Sequence, residues 1–172
     1  MRLHTTNHPV IYEVNIRVLL NELSRRTGKR LTLGQIPDSV LDEWQSLGFD
    51  AVWLMGVWTH SKLSREIARI DERLREEYRR ALPDVTDEDI VGSPYAVGSY
   101  TVSQTLGGAR ALQSLRRKLA ERGIALILDY VSNHTARDHA WISAHPEYYI
   151  NAADGAEKEK PDLFFRVRTK KG

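Results

Sequence analysis

Three residue types that can do chemistry fall close together in residues 123–135, GIALILDYVSNHT. An aliphatic run, 124–128, ends in the carboxylate of Asp129, and Asn133 and His134 follow within one short loop. Polar groups just past the carboxyl end of a buried strand sit where α/β proteins keep their chemistry. Asp129 is the tempting catalyst of the set. A plainer reading stands beside it: a buried carboxylate needing a partner in any fold, a strand-end histidine that hydrogen-bonds, and an asparagine that caps a turn. A second polar stretch, 91–108 (VGSPYAVGSYTVSQTLGG), is rich in Gly, Ser and Tyr and poor in charge, as expected of an ordered loop beside a ligand. Gly107-Gly108 fits neither G-x-G-x-x-G nor the P-loop, so a turn before a helix is expected there.

The elements that must position these groups follow from periodicity. Residues 10–15 (VIYEVN) are β-branched and aromatic and predict a strand, with Glu13 and Asn15 on one face, suited to a polar interior or to solvent. Residues 21–34 turn polar and basic, which predicts a loop or a short helix. Pro37 and Asp38 then open a helix carrying Val40, Leu41, Trp44 and Leu47, closed by Gly48. FDAVWLM (49–55) predicts a second buried strand. A helix over 109–122, with Leu112, Leu115 and Leu119 on one face, ends at Gly123, and the strand 124–128 follows, expected to be buried on both faces. Strand, helix, Gly, strand, helix, Gly, strand is the βαβ repeat of a parallel sheet. Between the second strand and that helix, Leu63, Ile67, Ile70, Leu74 and Tyr78 mark one amphipathic helix with a charged outer face. The acidic connector 83–89, PDVTDED, lacks the EF-hand spacing and glycine.

Composition narrows the function classes. The chain has 172 residues, 41% hydrophobic and 28% charged, with a formal net charge of +2. That balance gives no argument for nucleic acid or a membrane surface as partner. The absence of cysteine excludes disulfides, thiolate catalysis and Cys-ligated zinc. The polar start, MRLHTTNHPV, has no signal-peptide core, and no run nears the roughly 18 apolar residues of a membrane span. A cytoplasmic soluble protein is the expectation.

VIYEVNIR, LGFDAVWLMGVW, GSPYAVGSY, LGG before a helix, and LDYVSNHT together resemble the α-amylase family of glycoside hydrolases over essentially the whole chain. The resemblance implies an α/β fold that is part of a (β/α)₈ TIM barrel. Residues 1–137 would supply the first three β/α units, with a helical insertion at about 60–90, and 138–172 would begin the excursion after the third strand. It implies that Tyr95 is a platform under a sugar ring, that His134 donates to a sugar hydroxyl, and that Asp129 is a buried carboxylate at the floor of the site, holding an arginine from a later strand. Asn133 matches a position that gives calcium an oxygen in some members, and Tyr100 matches a structural tyrosine. No other cofactor is implied. Ala96 departs from the acidic residue that follows the platform tyrosine in many oligosaccharide-cleaving members, and Gly98-Ser99 replaces a further acidic position.

Retaining hydrolysis needs two carboxyl groups about 5 Å apart. In this family they lie on later strands, so no catalytic carboxylate is assigned in this chain; nucleophile and general acid are expected beyond Gly172. The expected function is part of an α-amylase-type hydrolase or transglycosylase acting on α-glucosidic bonds, inactive alone, with an α-glucan or α-glucoside as substrate and the remainder of the barrel as partner. The alternative is a non-catalytic carbohydrate-binding or assembly module, or a remnant of such an enzyme.

Overall fold

The computed structural model describes residues 8–167; the first seven residues of the polar leader and the last five of the basic end lie outside the described residues. Three parallel strands form the principal sheet in the order β1 (Ile11–Asn15), β2 (Ala51–Met55), β5 (Ala125–Leu128). Register runs Glu13 to Trp53 and Trp53 to Ile127, so alternate residues of all three strands share one face. The βαβ expectation therefore holds, with strand ends trimmed by a residue or two.

One face of the sheet is covered by helices. Val14, Val52 and Leu54 pack with Leu20 and Leu23 of α1 (Ile16–Thr27), Leu41 and Trp44 of α2 (Asp38–Ser46), and Leu115 and Leu119 of α5 (Gly108–Glu121). Helix α1 corrects the expected loop or short helix at 21–34. It begins directly at Ile16 because Asn15 caps it, its side-chain oxygen accepting from Arg17 and Val18 N–H. A three-residue 3₁₀ turn, Leu33–Gln35, follows. Arg122 and Lys118 of α5 pair with Asp38 and Asp42 of α2, which holds the two covering helices side by side. Gly107 stands at φ 96°, and a Cβ there would lie 2.6 Å from the Ala111 side chain and 2.9 Å from that of Thr32. The glycine pair is thus a close-packed turn, as expected.

The other face is less covered. β5 is half-buried along its whole length rather than buried on both sides, because nothing as apolar as α1, α2 and α5 lies over its second face.

The insertion differs most from expectation. The helix predicted across 63–80 is two helices, α3 (Lys62–Ile70) and α4 (Glu72–Ala81), broken at Asp71. Asp71 is extended, and its carboxylate accepts from Leu74 N–H at 3.0 Å, starting a new helix. The apolar period runs on through this single capping residue, so periodicity could not reveal the break. The supposed loop 91–108 contains β4 (Val97–Val102), paired antiparallel with β3 (Trp58–His60) in a second, irregular sheet. Among the described residues after β5 there are only short helices, α6 (Ala140–Ala144) and α7 (Ala156–Glu159), with a 3₁₀ turn at Pro146–Tyr148.

Candidate functional site

The strand ends gather the polar groups. Asp129 follows β5, is only 7% exposed, and has both carboxylate oxygens engaged. Trp53 Nε1 donates to Oδ1 at 2.8 Å and Gly56 N–H donates to Oδ2 at 3.0 Å. Trp58 Nε1 donates to the Asp129 carbonyl at 2.9 Å. Two indoles and one amide thus fix this residue within the described chain; the arginine that the resemblance implies would come from a later strand and add to them. Gly56 can present its N–H in this way because it turns the chain at φ 83°, a conformation that favours glycine.

Tyr95 stands across the end of β2, its hydroxyl donating to Met55 Sδ at 3.2 Å. Burial, and then the charges of Asp129 and Glu13, push its phenol above the ordinary value. Glu13, Trp53 and Met55 lie on the open face of the sheet together with Asp129. The result is a patch with a tyrosine ring, two indoles and two carboxylates.

His134 and Asn133 sit apart from that patch. Both are exposed, with Asn133 Nδ2 3.5 Å from His134 Nδ1, and no hydrogen bond joins His134 to Tyr95 or Asp129 among the described residues. They line one wall of an open groove of about 1390 Å³ whose other walls include Tyr130, Trp141, Tyr148 and Phe165. Within it Thr135 Oγ1 and Tyr149 OH lie 2.9 Å apart, and Arg137 caps the Phe165 ring at 4.8 Å. Tyr100 braces the loop after β5: its hydroxyl donates to Val131 C=O and accepts from Val131 N–H.

A calcium ion takes six to eight oxygens. Asn133 offers one amide oxygen, and among the described residues no three His, Cys, Asp or Glu side chains gather where a metal could be held. These residues do not by themselves make a calcium site.

Several residues in this region were not singled out by sequence. Trp53, Trp58 and Gly56 became visible only when β2 and β5 were paired. Ser61 and Asp138 form a further link: Ser61 Oγ donates to Asp138 Oδ1 at 2.5 Å, and Leu63 N–H donates to Oδ2 at 3.1 Å. Burial alone would raise the Asp138 carboxyl, but the Ser61 hydroxyl and the Leu63 amide outweigh it and hold it below the usual range.

A helix-covered parallel sheet with its polar groups at the carboxyl ends of the strands is the α/β arrangement of barrel enzymes. The structure matches a crystallised α-amylase of Lactobacillus plantarum with a TM-score of 0.58 at 23% identity, over 86% of this chain and 28% of that one. It matches a maltogenic α-amylase of Thermotoga neapolitana with a TM-score of 0.56 at 20% identity, over the same shares of each chain. The family model of the α-amylase catalytic domain matches residues 38–172, so the chain belongs to the α-amylase family. An α-1,4-glucan:maltose-1-phosphate maltosyltransferase of Rhodospirillum rubrum is 30% identical over 123 residues, 69% of this chain and 16% of that protein. Alpha-amylase 3 of Dictyoglomus thermophilum is 26% identical over 97% of this chain and 30% of its own length. The chain therefore spans less than a third of the relatives it matches. Among the described residues no helix is long and apolar enough to cross a membrane.

Proposed function

We propose that this chain forms the first three β/α units of a (β/α)₈ barrel and the sugar-holding side of an α-glucosidic site, in a protein that hydrolyses or transfers α-linked glucosyl units. The observation that carries the reading is the patch at the ends of β1, β2 and β5: the Tyr95 ring beside Asp129, with Asp129 locked by Trp53 and Gly56. A sugar ring has an apolar face and a rim of hydroxyls, and an aromatic face with fixed acceptors complements both. His134 would reach the ring from the loop after β5, and the aromatic groove beyond it would take further sugar units. Asp129 serves as an anchored acceptor at the floor, since both its oxygens already hold donors. No step is routed through calcium; Asn133 would give it a single oxygen. The protein would act in the cytoplasm.

Bond cleavage would need a nucleophile and a general acid about 5 Å apart. Glu13 and Asp129 are not assigned those roles, and residues 1–172 alone should release no reducing sugar from maltooligosaccharides. Measurable release by the purified chain would overturn that assignment. Binding is tested separately, by titrating maltotriose and following the ring resonances of Tyr95 and His134. Shifts at both residues, lost in Tyr95→Ala, are expected; shifts at neither would remove the sugar-holding reading.

A further inference from the structure

Behind the strand-end patch lie two guanidiniums and an imidazole. Arg17, in the first turn of α1, is half-buried; its Nε is sealed from solvent and meets no acceptor. His60, at the end of β3, is in the same condition at both ring nitrogens. The carbonyls of Val91 and Gly56 lie near that ring, but neither meets hydrogen-bond geometry with it. Arg65 of α3 stands beside them, its Nε donating to Ile90 C=O at 3.0 Å. Burial and then Arg65 hold the Arg17 guanidinium below its ordinary value, while burial and then Arg17 hold the His60 imidazole below its own.

Charges in this position need a partner, because a partly buried cation without one loses hydration and gains nothing in return. No side-chain carboxylate of residues 1–172 pairs with these two guanidiniums. Residues 1–7, MRLHTTN, and 168–172, RTKKG, contain no aspartate or glutamate, so every acidic side chain is among the described residues. None of these forms an ion pair with Arg17 or Arg65.

We infer that Arg17, His60 and Arg65 form a binding site for a phosphate group, set back to back with the strand-end patch through Gly56. The planar fork of a guanidinium suits a tetrahedral oxyanion better than a spherical halide. An imidazole with both nitrogens unpaired can add a proton as the dianion arrives, so binding would take up a proton. The phosphate could be free or carried on a sugar; both present the same oxygens. This site stands independently of the sugar-holding reading and can fail without it.

The test follows thermal unfolding of residues 1–172 in chloride, sulfate and inorganic phosphate at matched ionic strength, for the wild type, Arg17→Gln and Arg17→Lys. Phosphate should raise the wild-type Tm well beyond its effect on Arg17→Gln, with Arg17→Lys between, and should bind Arg17→Gln at least about tenfold more weakly. In parallel, the His60 ring resonances should titrate at higher pH when phosphate is present. Glucose 1-phosphate or glucose 6-phosphate binding about tenfold more tightly than inorganic phosphate would assign the sugar-borne source, and equal binding the free ion. An equal Tm rise in wild type and Arg17→Gln would mark a general salting effect and overturn the site. No phosphate dependence together with an unmoved His60 would overturn it too, leaving a carboxylate from another polypeptide segment as the partner.

Discussion

Asp129 and Arg17 each carry a charge just past a strand of the same sheet, and their surroundings are opposite. The Asp129 carboxylate meets an indole and a backbone amide on its two oxygens. The Arg17 guanidinium feels the like charge of Arg65, and its Nε meets nothing. The difference separates two uses of a partly buried charge. Where a charge is fully hydrogen-bonded it fixes geometry; where its bonds are left open, the fold keeps a place for a partner of opposite sign.

Substitution should therefore move the two residues in opposite directions. Asp129→Ala leaves the Trp53 indole and the Gly56 amide without acceptors, and at about 1–3 kcal/mol for each buried group left unpaired it should destabilise by about 2–6 kcal/mol. Arg17→Met in phosphate-free buffer should be neutral or stabilising, by about 1 kcal/mol or more, because it removes an uncompensated charge and keeps the stem's packing. Urea unfolding measures both, and the same sign for the two variants would erase the distinction. Trp53→Phe should cost about 1.5–3 kcal/mol, the net worth of one hydrogen bond to a charged group, and should reduce maltotriose binding by loosening Asp129. Unchanged binding would separate the carboxylate from the sugar.

The pH dependence sharpens the contrast further. His60 has a folded pKa below its unfolded value, so between the two the unfolded chain binds more protons. Stability is full above about pH 6.5 and falls as pH drops through the folded value; His60→Gln should flatten that fall, and phosphate should reduce it. Asp138, also depressed, contributes stability that is present above its unfolded value, near 3.8, and is lost below it as pH falls through the folded one. Asp138→Asn should remove that lower step and leave the His60 step in place, which acid titration of the unfolding midpoint would show.

Legibility in the sequence followed the range of the interactions. Strands β1, β2 and β5 and helices α2 and α5 were readable because each carries its own apolar period and its own glycine or proline boundary. Helix α1 was missed because its polar face, from Asn21 to Arg26, outweighs Leu20 and Leu23 in composition, and because a strand passing straight into a helix leaves no turn residues to mark the change. The break at Asp71 hid inside an unbroken period. Asp129 and Glu13 could be placed on neighbouring strands from the βαβ order alone, whereas Tyr95 was placed only by the family resemblance. The partners of Asp129 could not, since Trp53 lies 76 residues away in sequence and its role depends on sheet register. The cluster of Arg17, His60 and Arg65 was likewise silent, as it assembles from three separate elements.

The link from Ser61 to Asp138 joins the first turn of α3 to the loop after β5, across 77 residues of chain. Ser61 also caps α3, so the serine that starts the helix is the one that ties down the loop. The two excursions from the sheet are therefore stitched together at their roots. Backbone amides of Leu63 and Ser64 should exchange with solvent together and slowly, and those around the exposed Ile70 and Ile150 quickly. A protease nicking the first excursion at its tip would leave both pieces held to the sheet, since the chain returns to it through α5 and β5.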